Sequence, residues 1–162
     1  MRMADACNHH DHHVHQGLGS GPLLEALAEA ELRCAASQER LTPPRRRVLE
    51  LLLAADAPLK AYDLIAAYGP AGEPAKPPTV YRALEFLERL GFAHRIESLN
   101  AYVPCRIAGG HSAAFLICDC CGEAAEFHPD LGAPLAEAGA LGYALRAVTL
   151  EARGLCAACQ AG

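Results

Sequence analysis

The sequence lacks the features that would place it in a membrane or in a familiar enzyme class. No apolar run approaches the length needed to cross a bilayer, because the richest one, VLELLLAA, is short and contains Glu50. The amino-terminal residues contain no apolar core of a signal peptide, so we expect a cytoplasmic protein. A Ser-His-Asp-type set, an H-E-x-x-H motif and a phosphate-binding glycine loop are also missing, so we do not expect an enzyme.

Eight cysteines among 162 residues are the chemically informative part of the composition. In a chain expected to be cytoplasmic, paired cysteines bind metal more often than they form disulfides. Hydrophobic residues at 52% and charged residues at 20% indicate a globular protein. The length suits one ordinary domain or two small ones.

The net charge of −5 is unevenly distributed along the chain. Residues 1–37 and 98–162 each carry a net −3, whereas residues 38–97 carry nine Lys/Arg against eight Asp/Glu. This middle segment also contains PPRRR at 43–47, so we expect it to be the part that approaches a phosphate backbone. The PPRRR run itself is open to two interpretations, a set of phosphate contacts or an ordinary solvated helix start.

Helical signals fill residues 21–91. The clearest helix, KPPTVYRALEFLERLGF, has prolines leading in and Gly91 to end it, and the β-like runs on both sides of Asn100 predict a hairpin. Three helices closed by a hairpin indicate a winged helix-turn-helix. The apolar positions at helical spacing are Leu23, Leu24, Leu27 and Leu32, then Val48, Leu49, Leu52 and Leu53, then Val80, Leu84 and Leu87 with Leu90 or Phe86.

The expected fold class is therefore α+β, in three parts. Residues 1–20 are predicted to be a flexible, His-rich tail, and residues 21–97 a winged-helix DNA-binding domain. Residues 98–162 are predicted to contain a hinge and a small α/β unit with little core of its own. In that unit, strands flank the cysteine-rich turn, and a helix and a final strand lead to the closing CAAC.

Two C-x-x-C pairs predict a structural zinc site. Cys118 and Cys121 are followed by Gly122, and Cys156 and Cys159 repeat the spacing 35 residues later. Tetrahedral zinc in structural sites takes four such thiolates. Two disulfides and a dithiol redox pair are the alternatives, and we favour zinc over both. Cys120 is the spare thiol, expected to point away from the cluster.

The sequence closely resembles the ferric-uptake-regulator (Fur) family, and within it the zinc-uptake-regulator (Zur) subgroup. The resemblance rests on KPPTVYRALEFLERLGFAHRIESLNAYVPC, then His111, then FLICDCCGEAAEF and CAAC, and extends from about LTPPR to the end of CAAC. It implies a homodimeric, zinc-dependent repressor of zinc-uptake genes that binds palindromic operator DNA, with residues 98–162 as the zinc-binding dimerisation domain. Membranes and small organic ligands are not expected partners.

The resemblance also implies two Zn²⁺ ions per chain. The subgroup's regulatory ligands fall on His94, Cys105, His111 and Glu126, and its structural ligands on Cys118, Cys121, Cys156 and Cys159. This chain departs from the family pattern at Cys120, which replaces a residue that is usually not cysteine, and at His128, which would compete with Glu126 as a ligand.

The chemistry of the regulatory set independently favours zinc. A thiolate, two imidazoles and a carboxylate suit four-coordinate Zn²⁺, whereas iron or manganese sensors favour oxygen and nitrogen ligands, so Cys105 argues for zinc. The alternatives are a sister Fur-family sensor of another divalent metal or peroxide, a zinc-ribbon enzyme or redox protein that uses Cys120, and a structural adaptor with a non-functional wing.

The predicted helix 78–90 is the candidate for the major groove. Near its amino-terminal end, Arg82 is suited to guanine, and Thr79 and Tyr81 to phosphates. Tyr62 matches a position that approaches DNA in the subgroup that the chain resembles. The alternative is that Tyr62 and Tyr81 are partly buried packing residues. The tail contains five histidines beside Cys7 and is interpreted either as a weak zinc collector or as a solvated terminus; they are His9, His10, His12, His13 and His15.

Overall fold

A computed structural model describes residues 17–105, 113–145 and 148–161 of the chain. These residues fall into two compact units, 17–105, which we call the helical unit, and 113–161, which we call the cysteine unit. The predicted His-rich tail through residue 16 and the predicted ligand His111 lie outside the described residues. Within the described ranges, no helix combines the length and apolarity needed to cross a bilayer.

The helical unit contains four helices followed by a hairpin. The hairpin strands are antiparallel and joined by a 3₁₀ turn at Glu97–Leu99, which Asn100 closes in the left-handed conformation at φ 49°. After the fourth helix, Gly91 takes φ +68°, where a glycine is favoured, so it ends the helix as predicted. The elements are α1 (Ser20–Ala36), α2 (Pro43–Ala54), α3 (Ala61–Ala66), α4 (Pro77–Arg89), β1 (Ala93–Ile96) and β2 (Ala101–Pro104).

The core of the helical unit lies mainly between α2 and α4. All four predicted apolar positions of α2 are buried, and so are Val80, Leu84 and Leu87 on α4. Between the two alternatives on α4, Phe86 is 3% exposed, whereas Leu90 is only partly buried. The predicted winged helix-turn-helix arrangement and the α+β class are confirmed.

The predicted stripe of α1 is only partly right. Leu27, Ala30 and Cys34 are buried, but Leu24 is 60% exposed and Leu32 72% exposed. Residues of an α-helix follow one another at about 100°, so spacings of three and four residues keep the buried three on one face. Leu32, five residues after Leu27, falls almost opposite that face. Because α1 is rich in Ala and Leu all round, the apolar pattern did not define the buried side.

The cysteine unit is built on a mixed three-stranded sheet with the order β4-β3-β5. β3 pairs antiparallel with β4 and parallel with β5. Its core is small, and α5 buries no side chain. The elements are β3 (Ala113–Cys118), β4 (Ala124–Glu126), α5 (Gly132–Ala140), β5 (Thr149–Gly154) and α6 (Ala157–Gln160).

The contrast between buried and exposed leucines gives a stability prediction. Leu52 of α2 is fully buried, so Leu52→Ala should lower the free energy of unfolding by about 2–5 kcal/mol through lost apolar burial and a residual cavity. Leu32→Ala on the exposed side of α1 should change it by less than about 0.5 kcal/mol. Urea unfolding followed by far-ultraviolet circular dichroism measures both. Equal losses would contradict the assignment of the buried face of α1.

Candidate metal centres and nucleic-acid face

The first cysteine pair lies in a tight turn after β3. Cys118 ends the strand, and Gly122 takes φ +75°, a conformation that a side chain at this position would strain. The N–H of Gly122 donates to the carbonyl of Cys118 over 3.0 Å, and the N–H of Cys118 donates to the carbonyl of Glu123 over 2.8 Å. The turn thus closes on itself and returns the chain to β4.

The second pair reaches the first because β3 and β5 are parallel neighbours. Cys118 pairs in register with Gly154 at the end of β5, and the N–H of Asp119 donates to the carbonyl of Gly154 over 2.7 Å. Two residues later, Cys156 is the N-cap of α6, which contains Cys159. The N–H of Cys156 donates to Sγ of Cys118 over 3.3 Å. Both pairs therefore meet at one end of the sheet.

The four sulfurs form a compact cluster. Those of Cys118, Cys121, Cys156 and Cys159 all lie within 4.8 Å of one another. Four sulfurs around zinc at about 2.3 Å occupy a tetrahedron with edges of about 3.8 Å. The sulfurs of Cys121 and Cys156 are 3.8 Å apart, so the donor set fits a tetrahedral thiolate site.

Electrostatics separates the four thiols. Burial raises the pKa of Cys118, but backbone N–H groups of Cys121, Cys156 and Cys120 bond its sulfur and lower the pKa to about 6. For Cys159, burial and then the neighbouring sulfurs raise the pKa to about 12. Thiolates this close repel one another, so the cluster favours one anion over four. A divalent cation among the sulfurs would remove that repulsion and favour deprotonation of all four.

The other thiols of the described chain have different surroundings. Cys120 is half-buried in the turn and does not belong to the group of four sulfurs; its backbone N–H, however, helps to stabilise the sulfur of Cys118. Cys34 lies in the core of the helical unit, where burial raises the pKa of its thiol. Such a thiol behaves as a small apolar side chain.

Two predicted regulatory ligands meet in the hairpin of the helical unit. His94 lies in β1 opposite Val103, and Cys105 follows β2, held by its N–H donating to the carbonyl of Phe92 over 2.9 Å. A ring nitrogen of His94 and Sγ of Cys105 lie within 4.8 Å of each other, and both residues are half-buried. An imidazole and a thiolate at this separation are two suitable ligands for one zinc ion.

The remaining predicted ligands belong to later segments of the sequence. Glu126 is the last residue of β4, opposite Phe115 of β3, and is half-buried. His128, the predicted competitor, lies beyond the strand and is exposed. The four-residue regulatory set therefore stays a prediction.

The predicted DNA-contacting residues present exposed side chains. Tyr62 on α3 is 76% exposed and Tyr81 on α4 is 49% exposed, which contradicts the alternative that both rings pack in the core. Arg82 is exposed, and Thr79 is half-buried in the first turn of α4. These residues lie on the two helices of the helix-turn-helix, where groups for base edges and phosphates are needed.

The first two arginines of PPRRR have distinct partners within the chain. Arg45 lies over the ring of Phe86, with its guanidinium carbon 3.5 Å from the ring centroid, and donates to the carbonyl of Arg40 over 2.7 Å. Arg46 forms an exposed ion pair with Glu31 at 3.1 Å. Because successive helical residues differ by about 100° in direction, adjacent arginines meet different surroundings.

Arg47 has a structural role that the sequence did not reveal. It donates to the carbonyls of Tyr68 over 2.7 Å and Ala67 over 3.1 Å, just past the end of α3, and pairs with Glu50 at 3.2 Å. Carbonyls at a helix end lack partners within the helix, and a cation offsets their partial negative charge. Arg47 thereby attaches α3, with its exposed Tyr62, to α2.

Comparisons with known proteins agree with this architecture over most of the chain. The ferric uptake regulator family model matches residues 36–152. The zinc uptake regulation protein of Escherichia coli (strain K12) is 48% identical over 141 residues, which cover 83% of this chain and 81% of the relative.

Two solved structures are similar in fold and in sequence. A zinc uptake regulator complexed with zinc and DNA superposes with a TM-score of 0.78 at 44% identity, covering 86% of this chain and 95% of that chain. The holo form of XcZur gives a TM-score of 0.77 at 44% identity, covering 85% and 99%.

The contacts of Arg47 predict a measurable stabilisation of the helical unit. Arg47→Met should lower the free energy of unfolding by about 1–3 kcal/mol, because two carbonyls lose a charged donor. Arg46→Met is the matched control and should cost less than about 1 kcal/mol, since its ion pair with Glu31 is exposed. Urea unfolding compares the two variants. Indistinguishable losses would show that the contacts to the end of α3 do not matter for stability.

Proposed function

Because the chain belongs to the ferric uptake regulator family, we propose that it is a zinc-responsive transcriptional repressor. It binds palindromic operator DNA as a zinc-loaded dimer in the cytoplasm and shuts off zinc-uptake genes. The observation that carries this proposal is the similarity, at 44% identity and a TM-score of 0.78, to a zinc uptake regulator complexed with zinc and DNA.

Cys118, Cys121, Cys156 and Cys159 hold a structural zinc in this proposal. The support is the fit of their four sulfurs to a tetrahedral site. The ion supplies no reactive chemistry, since four thiolates leave no open coordination position. It links the turn after β3 to the residues after β5 in a unit with a small core, so its binding free energy adds to folding.

His94, Cys105, His111 and Glu126 hold the second, regulatory zinc. The support is the approach of His94 to Cys105 in the hairpin and the mixed sulfur, nitrogen and oxygen donor set. His94 and Cys105 belong to the helical unit, and Glu126 to the cysteine unit. Zinc bound by all of them would couple the DNA-binding hairpin to the rest of the dimer.

Tyr62, Thr79, Tyr81 and Arg82 contact DNA in this proposal. Their exposure on α3 and the first turns of α4 supports the role, with Arg82 directed to guanine and the other three to the backbone or neighbouring bases. Two copies related by a two-fold axis would present two α4 helices to the two halves of a palindrome.

Exposed apolar side chains of the cysteine unit support the proposed homodimer. Leu116 of β3 is 49% exposed, Leu150 of β5 is 38% exposed, and Leu155 is 51% exposed. Leu116 and Leu155 line a depression of about 400 Å³ together with Ala152 and other residues of the sheet. Monomeric proteins rarely leave so many large apolar groups together in water, so a second copy is a suitable cover.

The thiolate cluster predicts a sharp difference between neighbouring cysteines. Cys118→Ser should remove one zinc equivalent per chain and greatly lower the melting temperature, because three thiolates hold zinc poorly and folding loses the ion's contribution. Cys120→Ser, two positions away, should retain the zinc content and melting temperature of the parent. Elemental analysis and calorimetry give both quantities. A Cys118→Ser protein that melts like the parent would contradict the structural assignment.

The regulatory site predicts a variant that folds but no longer responds to zinc. Operator binding by the parent should tighten about 5- to 150-fold on zinc addition, corresponding to a coupling free energy of about 1–3 kcal/mol. Cys105→Ser should abolish that response and keep the four-thiolate zinc, with Cys120→Ser as the control.

Binding is measured by fluorescence anisotropy, with zinc titrated against iron and manganese. A parent that responds to iron, manganese or peroxide instead would favour a sister sensor. A Cys105→Ser protein that still needs zinc to bind the operator would locate the regulatory ligands elsewhere.

A further inference from the structure

We propose that a cleft between the beginnings of α2 and α4 binds a backbone phosphate of DNA, and that Arg45 is its fixed cationic residue. This inference rests on the proposed DNA-binding function and deepens it, since Arg45 lies outside the set of DNA contacts inferred above. The cleft has a volume of about 270 Å³, and its lining residues are Thr42, Pro44, Arg45, Thr79, Arg82 and Ala83.

The lining of the cleft is suited to an anion. Its charged and polar side chains are two guanidinium groups and two hydroxyls, and no acidic residue is among the residues that line it. Pro43 and Pro44 occupy the first two positions of α2 and have no N–H, so the side chains have to provide the donors. Thr42, the N-cap residue, makes no capping hydrogen bond with its hydroxyl, which leaves that group for a ligand.

Arg45 is held in place before any ligand arrives. Its guanidinium lies flat enough over Phe86 to bring its carbon 3.5 Å from the ring centroid, and one nitrogen donates to the carbonyl of Arg40. Phe86 is itself only 3% exposed, so the platform belongs to the core. A guanidinium has five N–H donors, and this arrangement leaves others to bind phosphate. Because the side chain is already ordered, binding costs less rotamer entropy.

Arg82 shares the cleft but is held differently. Within the described residues, no hydrogen bond or ion pair fixes its guanidinium, and the side chain is exposed on α4. A mobile arginine beside a fixed one suits two tasks. The fixed group sets the position of the backbone, and the mobile group reaches a base edge from that position. The exposed Tyr81 next to Arg82 extends the same face, which favours duplex DNA over a small anion as the occupant.

The test compares Arg45→Gln with a matched loss of charge. Arg89 lies 5.3 Å from the same Phe86 ring, pairs with Glu39 and does not line the cleft, so Arg89→Gln is the control. Arg45→Gln should weaken binding to operator and to random duplex by a similar factor, about tenfold. It should also lower the slope of log affinity against log salt by about 1, because one phosphate contact is lost. Arg82→Ala should mainly reduce the preference for operator over random duplex.

The outcomes separate this proposal from the proposed function. A parent protein without zinc-dependent operator binding would refute the function itself. A parent that binds, together with Arg45→Gln that keeps the affinity and salt slope of Arg89→Gln, would refute the phosphate role of Arg45.

Melting temperatures show whether Arg45→Gln is folded. If it is not, Arg45→Lys decides, because it retains the charge and loses the fork. Arg45→Lys should keep the salt slope and bind both duplexes about threefold more weakly; parental affinity would overturn the proposal. Replacing chloride with inorganic phosphate at constant ionic strength should weaken parent and Arg45→Gln binding equally. A selective effect on the parent would identify a free-anion site instead.

Discussion

The parallel pairing of β3 with β5 is the constraint on which the cysteine unit depends. Parallel strands end at the same edge of a sheet, so the residues that follow Cys118 and those that follow Gly154 emerge side by side. The two C-x-x-C pairs are far apart in sequence, and this register alone brings their sulfurs within 4.8 Å. The dependence also runs the other way. A sheet with few buried side chains gains a link between its central and outer strand wherever the four sulfurs share an ion.

In the helical unit, α2 organises the face proposed to bind DNA. Its apolar side packs against α4, while Arg47 binds the carbonyl end of α3 and Arg45 lies on Phe86 of α4. Residues that carry positive charge in a region proposed to meet phosphates thus also determine where α3 and α4 lie. Charge and position come from the same side chains, so a substitution there alters both, and matched controls are needed to separate them.

The sequence predicted those features that depend on local pattern. The buried positions of α2 and α4, the hairpin about Asn100, the glycine ends and the clustering of four cysteines all follow from periodicity and spacing. The pattern failed on α1, where Ala and Leu on every side left the buried face undefined. It also could not show that Arg45 and Arg47 have different partners, since those contacts join residues about 20 to 40 positions apart.

The two proposed zinc sites differ in a way that suits their different tasks. Four thiolates around Zn²⁺ leave a net charge of −2, and every position is filled by a strong soft ligand, so exchange with the cell's zinc is disfavoured. One thiolate, one carboxylate and two neutral imidazoles leave no net charge and include weaker oxygen and nitrogen donors. Such a site releases zinc more readily and gains affinity from anything that orders its ligands together. By linkage, an operator that favours the zinc-bound arrangement must strengthen zinc binding by the same factor that zinc strengthens operator binding. A sensor therefore needs the weaker set, and a fold with a small core needs the stronger one.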